Sequence, residues 1–113
     1  MMRPSSAKAK GRKLQQLVRD KILEKFPTLE AETDVRSAIM GETGCDVKLS
    51  SKARKLFPFS IECKSLAKIA VYSFYEQASA NTEKGTKPLV IFKANRKKPM
   101  VMLDLDTFME MVK

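Results

Sequence analysis

The sequence predicts a mixed α/β fold in which a central sheet with parallel and antiparallel strands is flanked by helices. Three observations predict this class. Local patterns follow the order helix, three strands, helix, two strands, helix. Residues 89–92 are continuously apolar, as is typical of a central strand buried on both faces. The chain has 113 residues, 43% hydrophobic and 31% charged, which suits one globular domain. We expect that domain over residues 6–113, after a disordered tail at residues 1–5.

The first helix is amphipathic and basic. Ser6 can cap its start, and the helix must end before Pro27 because the residue before a proline disfavours helical geometry. We expect its apolar face to pack on the core and its basic face to point outward. The apolar positions at helical spacing are Leu14, Leu17, Val18, Ile22 and Phe26.

The next two strands are joined by a glycine-rich turn. Residues 35–40 alternate between two faces and predict a first strand that ends near Met40. Gly41 and Gly44 then predict a turn in which the backbone can approach another group closely. This turn delivers Asp46 to the start of a second strand, residues 46–50.

The third strand, residues 59–65, carries two charged residues in an otherwise uncharged segment. Strand side chains alternate, so Phe59, Ile61 and Cys63 share the face that we assign to the core. Ser60, Glu62 and Lys64 lie on the opposite face. If strands two and three pair in antiparallel fashion, Asp46 arrives near Glu62 and Lys64. The connection, residues 51–58, reads as a basic loop or a short helical turn.

The remaining pattern completes the predicted order. Residues 68–82 have helical periodicity on a stripe broad enough to cover a sheet. Strands are predicted at residues 89–92 and 100–103, and the capping-box spacing at Thr107 predicts a short final helix.

The charge balance points to a polyanionic partner. The net charge is +9, and residues 1–26 contribute +6 of it, with eight Lys or Arg against two acidic residues. Nucleic acid is the commonest partner of so basic a small domain, and a merely soluble basic protein is the alternative. Two further basic clusters fall where loops are expected: Lys48, Lys52, Arg54 and Lys55, and Lys93, Arg96, Lys97 and Lys98.

The absence of histidine narrows the chemistry. With two cysteines and no histidine, most zinc sites and every histidine-dependent catalytic dyad or triad are excluded. A metal would have to be bound by oxygen. No signal-peptide pattern and no apolar run near ~18 residues occurs, so we expect an intracellular protein with reduced thiols and no membrane contact.

Asp46, followed by Glu62-Cys63-Lys64 on the third strand of an αβββαβ order, resembles the PD-(D/E)XK nuclease superfamily. The resemblance covers roughly residues 8–105, although Cys45 replaces the proline that usually precedes the aspartate. The small size and basic first helix make the chain most similar to small phage-type Holliday-junction-resolvase-like endonucleases. The resemblance implies a metal-dependent DNA endonuclease, selective for branched or junction DNA.

The resemblance also implies roles for individual residues. Asp46 and Glu62 would bind Mg²⁺ or Mn²⁺, with the backbone carbonyl of Cys63 as a further ligand. The ion would lower the pKa of a water and neutralise charge on the phosphate. Lys64 would position or polarise that water and stabilise the pentacovalent transition state. Gln77, on the helix after the third strand, would be a catalytic contact to phosphate or water.

Further residues are candidates around this centre. Some members of the superfamily carry a glutamate on the first helix, soon after a Lys-Gly pair; here the pair is Lys10-Gly11 and the nearby residue is Gln15. Gln15 is therefore a possible outer-shell residue. Glu42 and Ser65 are two more, because they are near enough in sequence to contribute. The predicted DNA-binding residues are Lys10, Arg12, Lys13, Lys48, Lys52, Arg54, Lys55 and Arg96.

The expected partners are DNA and a second copy of the chain. Resolution requires two symmetric cuts and hence a homodimer with twofold symmetry. Candidate dimer surfaces, most of which we expect to pack in the core instead, are Met100, Met102, Met109, Met111, Phe57 and Phe59. If the gene belongs to a phage, the protein would act in the bacterial cytoplasm. The alternatives are a nicking or single-strand nuclease of the same fold and a catalytically inactive nucleic-acid-binding module.

Overall fold

A computed structural model of the protein describes residues 7–65 and 70–111 of the chain. The expected tail at residues 1–5 and the expected cap Ser6 lie outside these residues. The described elements, in chain order, are α1 Ala7–Lys25, β1 Val35–Ser37, β2 Val47–Leu49, α2 Ser51–Leu56, β3 Phe59–Ser65, α3 Val71–Ala80, β4 Lys87–Lys93, β5 Met100–Met102 and α4 Leu105–Met111.

The five strands form one mixed sheet in the order β1-β2-β3-β4-β5. β3 pairs in parallel with β4 along its whole length, from Phe59 opposite Lys87 to Ser65 opposite Lys93. The other neighbouring strands pair in antiparallel fashion. The chain between β3 and β4 includes α3, as parallel neighbours require a long crossover. The predicted mixed sheet with flanking helices is therefore confirmed.

The two faces of β3 meet different helices. On one face, Ile61 and Cys63 join a buried cluster with Leu14, Val18 and Ile22 of α1. Side chains of the opposite face meet α3 and the residues after it: the Lys64 ammonium lies 5.4 Å from the centre of the Phe74 ring, and the Glu83 N–H donates to Ser60 at 3.0 Å. The predicted division of this strand into an apolar and a polar face is thus observed.

β4 is buried on both of its faces, as its apolar run predicts. Leu89 and Ile91 belong to the cluster on the α1 side. Val90, which is opposite Glu62 in the register, is completely buried. The sheet therefore has a rigid centre in β3 and β4 on which a site can be held.

For residues 51–58 we predicted a basic loop or a short helical turn. The structure has a short helix here, α2. Ser50 caps this helix by accepting a hydrogen bond from the Ala53 N–H at 3.1 Å. The Ser50 hydroxyl in turn donates to Asp34 at 2.7 Å, which fixes the cap to the loop before β1.

β1 is shorter than predicted. It ends at Ser37 because the chain then turns: the Glu42 carboxylate accepts a hydrogen bond from the Ile39 N–H at 3.1 Å. Ile39 therefore does not continue the alternation of the strand, and its side chain is 72% exposed.

The two C-terminal helices also differ from their predicted bounds. α3 begins at Val71, and positions 68 and 69 of the predicted helix lie outside the described residues. α4 begins at Leu105 because Asp104, not Thr107, caps it. The Asp104 carboxylate accepts hydrogen bonds from the Thr107 N–H at 2.7 Å and the Thr107 hydroxyl at 2.9 Å.

The methionines near the C-terminus are not in the core. Met100, Met109 and Met111 are each half exposed or more, so the expectation that they pack inside is wrong. Phe57 and Phe59 do pack against the core, edge to face with ring centres 5.1 Å apart. Over the described ranges we find no helix with the length and apolar character that a membrane span needs.

Candidate active site

A cleft opens where β2 separates from β3. The two strands are paired at Val47 and Ile61. One residue further, the Asp46 N–H donates to the Ile61 carbonyl at 2.9 Å. The Asp46 carboxylate then accepts a hydrogen bond from the Cys63 N–H at 2.8 Å. A side chain thus takes the place of the backbone acceptor that a continued β2 would have supplied.

The hydrogen bond from the Cys63 N–H to Asp46 also indicates the direction of the Cys63 carbonyl. In a β-strand the N–H and the C=O of one residue point to the same side. Because the Cys63 N–H points toward Asp46, its carbonyl points into the same gap, and Cys63 contributes to the lining of the cleft. The thiol lies in the core, where burial raises its pKa, so the backbone is the part of Cys63 that can meet a ligand.

Glu62 and Lys64 project from the same face of β3. The Glu62 side chain is only 6% exposed, and the Lys64 ammonium lies 3.3 Å from its Oε1 atom. The Phe74 ring on α3 supports this ammonium from the other side. Both charged groups are thereby held on a rigid strand.

Burial makes the two carboxylates unusual. Desolvation raises the pKa of Asp46, while the Cys63 N–H and the Lys64 charge oppose that rise. Desolvation also raises the pKa of Glu62, and the neighbouring negative charge of Asp46 raises it further. Two acidic groups with one ammonium close by therefore favour uptake of positive charge, as a proton or as a cation.

The donor set suits a hard divalent cation. Asp46, Glu62 and the Cys63 carbonyl offer oxygen, which Mg²⁺ and Mn²⁺ prefer. Across residues 7–65 and 70–111, no three His, Cys, Asp or Glu side chains are grouped to hold a metal ion. Two carboxylates and a carbonyl fit Mg²⁺, which usually keeps several waters. These residues therefore fit the divalent ion that the resemblance implies.

The cleft has a volume of about 350 Å³ and is bounded by elements from both sides of the sheet. α1, the turn after β1, the start of β2, β3 and α3 all contribute to it. Its lining residues are Lys8, Gly11, Arg12, Gln15, Ala38, Ile39, Met40, Gly41, Glu42, Asp46, Glu62, Cys63, Lys64 and Gln77.

Gln77 and Gln15 both reach this cleft. Gln77 is exposed on α3 and lines the cleft beside Glu62 and Lys64. Gln15 lines it from α1 and accepts a hydrogen bond from the Ser37 hydroxyl at 2.8 Å. The structure thus brings the two predicted amides to the predicted acidic pair.

Glu42 lines the cleft but its carboxylate is occupied. The Arg36 guanidinium donates to both of its oxygens, at 3.0 and 2.7 Å, and the Ile39 N–H donates to Oε1. These contacts lower the pKa of Glu42 to about 2. In the structure Glu42 holds the turn after β1.

Ser65 is not brought to the cleft. Because it is an odd-numbered residue of β3, it lies on the opposite face from Glu62 and Lys64. It lines a separate groove together with Lys10 and Lys13. An outer-shell role for Ser65 therefore has no support from its position.

The predicted DNA-binding residues on α1 and β2 fall into two groups. Arg12 lines the cleft, whereas Lys10 and Lys13 line the groove beside it, where Lys10 donates to Asn95 at 2.9 Å. Lys48 shares the face of Asp46 on β2 and donates to the Thr43 carbonyl.

The predicted DNA-binding residues on α2 lie elsewhere. α2 connects the ends of β2 and β3 that are remote from Asp46, so Lys52, Arg54 and Lys55 do not line the cleft. Arg54 donates to Glu83 at 3.1 Å and Lys52 to the Thr28 carbonyl at 2.8 Å. Arg96 is exposed in the turn between β4 and β5, also outside the lining.

Two parts of the lining were not predicted. Lys8 and Gly11 precede Gln15 by seven and four positions, so helical periodicity counted back from Gln15 would have found them. Ile39 and Met40 were assigned to a strand, and no periodic signal marks them as the tip of a turn.

Comparison with known proteins identifies a family whose model matches nearly the whole chain. The family model described as "Phage putative PDDEXK endonuclease" matches residues 6–113. Neither the curated proteins nor the solved structures contain a match to this sequence.

Proposed function

The chain belongs to the phage PDDEXK endonuclease family, and we propose that it hydrolyses DNA phosphodiester bonds in the cleft where Asp46, Glu62 and Lys64 meet. One observation carries the proposal: at the point where β2 leaves β3, the half-buried Asp46 carboxylate, the buried Glu62 carboxylate, a backbone carbonyl and an ammonium converge. PD-(D/E)XK nucleases generally use divalent metal ions. Mg²⁺ or Mn²⁺ is our proposal for this chain.

Asp46, Glu62 and the Cys63 carbonyl would hold the ion. When bound, such an ion neutralises phosphate charge and lowers the pKa of a water. The Asp46 carboxylate is kept in position by the Cys63 N–H and lies beside the Glu62 carboxylate. Glu62 is kept in position by the rigid strand and by Lys64.

Lys64 would act on the reacting phosphate. Its ammonium can donate a hydrogen bond to the attacking water and stabilise the extra negative charge of the pentacovalent transition state. Phe74 limits where this ammonium can move. Gln77 offers an uncharged amide for a phosphate oxygen or for the same water.

The proposed substrate is branched DNA recognised through its backbone and shape. Lys8 and Arg12 at the cleft, with a net charge of +9, favour contacts to phosphates. The described elements all belong to the sheet and its flanking helices, and no additional element within them is available to read base edges in the major groove. Affinity should consequently depend strongly on salt concentration.

We also propose a homodimer that uses the edge of the sheet at β5. Met100 and Val101 on β5, and Phe108 and Met109 on α4, are each about half exposed or more. An edge strand with exposed apolar side chains is a ready surface for pairing with another copy. Twofold symmetry would present two cleavage sites to a junction.

The experiment that tests the proposed function compares DNA substrates. Labelled four-way junctions, flaps, nicked duplex and linear duplex are incubated with the protein in Mg²⁺, Mn²⁺ or EDTA, beside the variants Glu62→Gln and Lys64→Ala. We expect cleavage only with the divalent ion, and much slower cleavage by both variants than by the parent protein.

Other outcomes distinguish the alternatives. Cleavage that persists in EDTA, or that proceeds at the parent's rate in Glu62→Gln or Lys64→Ala, contradicts the proposed chemistry. Symmetric cuts confined to junctions support resolution, whereas cuts in single strands or one strand of a duplex favour a nicking or single-strand nuclease. Binding without cleavage in every ion favours an inactive binding module.

A further inference from the structure

Two large apolar side chains project from the tip of the turn between β1 and β2. Ile39 and Met40 are adjacent, and each is 72% exposed. Both line the cleft that contains Asp46 and Glu62. Exposure of a neighbouring pair of aliphatic side chains is costly in water, and at the mouth of a polar cleft it suggests a ligand surface.

The turn that presents this pair is held in a fixed shape. The Glu42 N–H donates to the Ile39 carbonyl at 3.0 Å and closes the turn, in which Gly41 has a φ of +83°. The Glu42 carboxylate accepts a hydrogen bond from the Ile39 N–H and is held by the two terminal nitrogens of Arg36. These contacts and the turn hydrogen bond fix the backbone of Ile39 and Met40.

The neighbours of the pair indicate what it contacts. Lys8, Arg12 and Gln15 share the cleft with it, and they suit phosphates and other polar groups. A nucleic acid offers phosphates and apolar surface side by side, because the faces of its bases are apolar. In a regular duplex these faces are stacked, and they become accessible where stacking is interrupted.

We propose that Ile39 and Met40 form an apolar wedge that packs against base faces beside the phosphodiester in the cleft. This inference rests on the proposed function, because it requires DNA in that cleft. Insertion into a regular duplex must first unstack a base step, whereas a branch point, nick or flap is already open. The wedge is thus a specificity determinant that favours interrupted DNA over continuous duplex.

The test uses the double variant Ile39→Ser/Met40→Ser, with Leu56→Ser as its matched control. Both wedge residues are exposed and outside the buried core, so the fold should persist. Leu56 is also an exposed apolar residue, but it lies on α2 and does not line the cleft. Circular dichroism and thermal melting verify that both variants fold like the parent.

Two binding readouts are measured in EDTA, where cleavage is stopped. The first is the ratio of affinities for a junction and for a linear duplex of the same sequence. The second is the fluorescence of 2-aminopurine placed at the branch point, which responds to changes in base stacking. We expect the double variant to lose about tenfold in the affinity ratio and most of the fluorescence change, while Leu56→Ser matches the parent.

The wedge proposal is overturned if the double variant keeps the parent's affinity ratio and fluorescence change. It is also overturned if the parent shows neither a preference for the junction nor a fluorescence change. Failure of the proposed function looks different: the parent would retain both binding readouts and cut none of the substrates in Mg²⁺ or Mn²⁺. Absence of any DNA binding by the parent would overturn both proposals together.

Discussion

Asp46 and Glu62 are two carboxylates in a site that hydrates them poorly and supplies one nearby ammonium. Their pKa values are raised, so each is easier to bury protonated than charged. At neutral pH the folded protein must carry this cost. The residues proposed for catalysis therefore lower the stability of the fold that holds them.

Replacement of Glu62 by glutamine tests this cost. Without divalent ion at neutral pH, Glu62→Gln should raise the free energy of unfolding by about 1 kcal/mol, because it removes the charge that Asp46 repels. Added Mg²⁺ should stabilise the parent and reverse the order. Urea unfolding measures both, with Glu76→Gln, an exposed residue of α3 outside the cleft, as control. Equal stability of the parent and Glu62→Gln under both conditions would show that the Glu62 charge does not destabilise the fold.

The pH dependence of stability follows from the direction of these shifts. A carboxyl group whose pKa is raised by folding stabilises the protein below its unfolded pKa, near 4, and this stability is lost as the pH rises through the folded pKa. Glu42 behaves in the opposite way: its pKa of about 2 gives stability that is present above 4.5 and lost in stronger acid.

For the metal-free protein, we therefore expect the contribution of Asp46 and Glu62 to fall as the pH rises from about 4 toward neutrality. Glu62→Gln should weaken that fall. Urea denaturation at a series of pH values measures it, and an identical pH profile in the parent and in Glu62→Gln would argue against a raised pKa for Glu62.

The sequence predicts the shared face of Glu62 and Lys64 because side chains alternate along a strand. It does not predict that the Asp46 side chain caps the Cys63 N–H, since that contact depends on where β2 leaves β3. Alternation could also have removed Ser65 from the candidates. Glu42 could not be assigned in advance, because its partner Arg36 is met only through the folded turn.

Among the elements, β3 holds the sheet and the site together. Ile61 is 1% exposed at the centre of this strand, between β2 and β4. We expect Ile61→Val to lower the free energy of unfolding by about 1 kcal/mol and Ile61→Ala by about 3 kcal/mol. Urea unfolding checks this, with Val71→Ala, an exposed residue of α3, within about 0.5 kcal/mol of the parent as control. Equal effects of the Ile61 and Val71 substitutions would show that β3 is not the structural centre.

The basic residues of α1 and α2 should contribute unequally to DNA binding. Arg12→Gln should weaken binding several-fold and reduce the slope of log affinity against log salt by about 1, because Arg12 lines the cleft. Lys52→Gln should change both less, since Lys52 lies on α2 outside that lining. Salt titrations of binding measure the two slopes. A larger loss from Lys52 than from Arg12 would place the DNA on another surface.

Element bounds follow from the sequence where a local rule determines them. β3 has the predicted bounds because its alternation begins immediately after Pro58. β1 and α4 differ because long-range or competing contacts intervene: Glu42 turns the chain at Ile39, and Asp104 caps the last helix ahead of Thr107. Such side-chain competition is invisible to periodicity.

For the whole molecule, net charge and sheet order are the decisive features. The +9 charge predicted a polyanionic partner, and the fold adds which basic side chains share a cleft with the acidic pair. The sheet order leaves β5 at an edge with exposed Met100 and Val101. The sequence suggested these C-terminal methionines as a dimer surface, but their exposure depends on β5 having no further neighbour among the described strands.

A substitution on β5 tests dimerisation through that edge. Val101→Lys should shift the protein from dimer to monomer, because a charge on an exposed edge strand opposes strand pairing. Light scattering after size-exclusion chromatography measures the molar mass, and Lys55→Gln on α2 is the control. A parent that is monomeric, or a Val101→Lys variant that remains dimeric, would contradict this surface.

Catalysis in this cleft is measured most directly by the single-turnover rate at which one four-way junction is cut in Mn²⁺. The parent should cut it, Glu62→Gln and Lys64→Ala should each be slower by on the order of 10² to 10³-fold, and both should bind the junction within a few-fold of the parent. Glu76→Gln should cut at the parent's rate. Cleavage by Glu62→Gln or Lys64→Ala at the parent's rate would contradict the claim that this cleft performs the reaction.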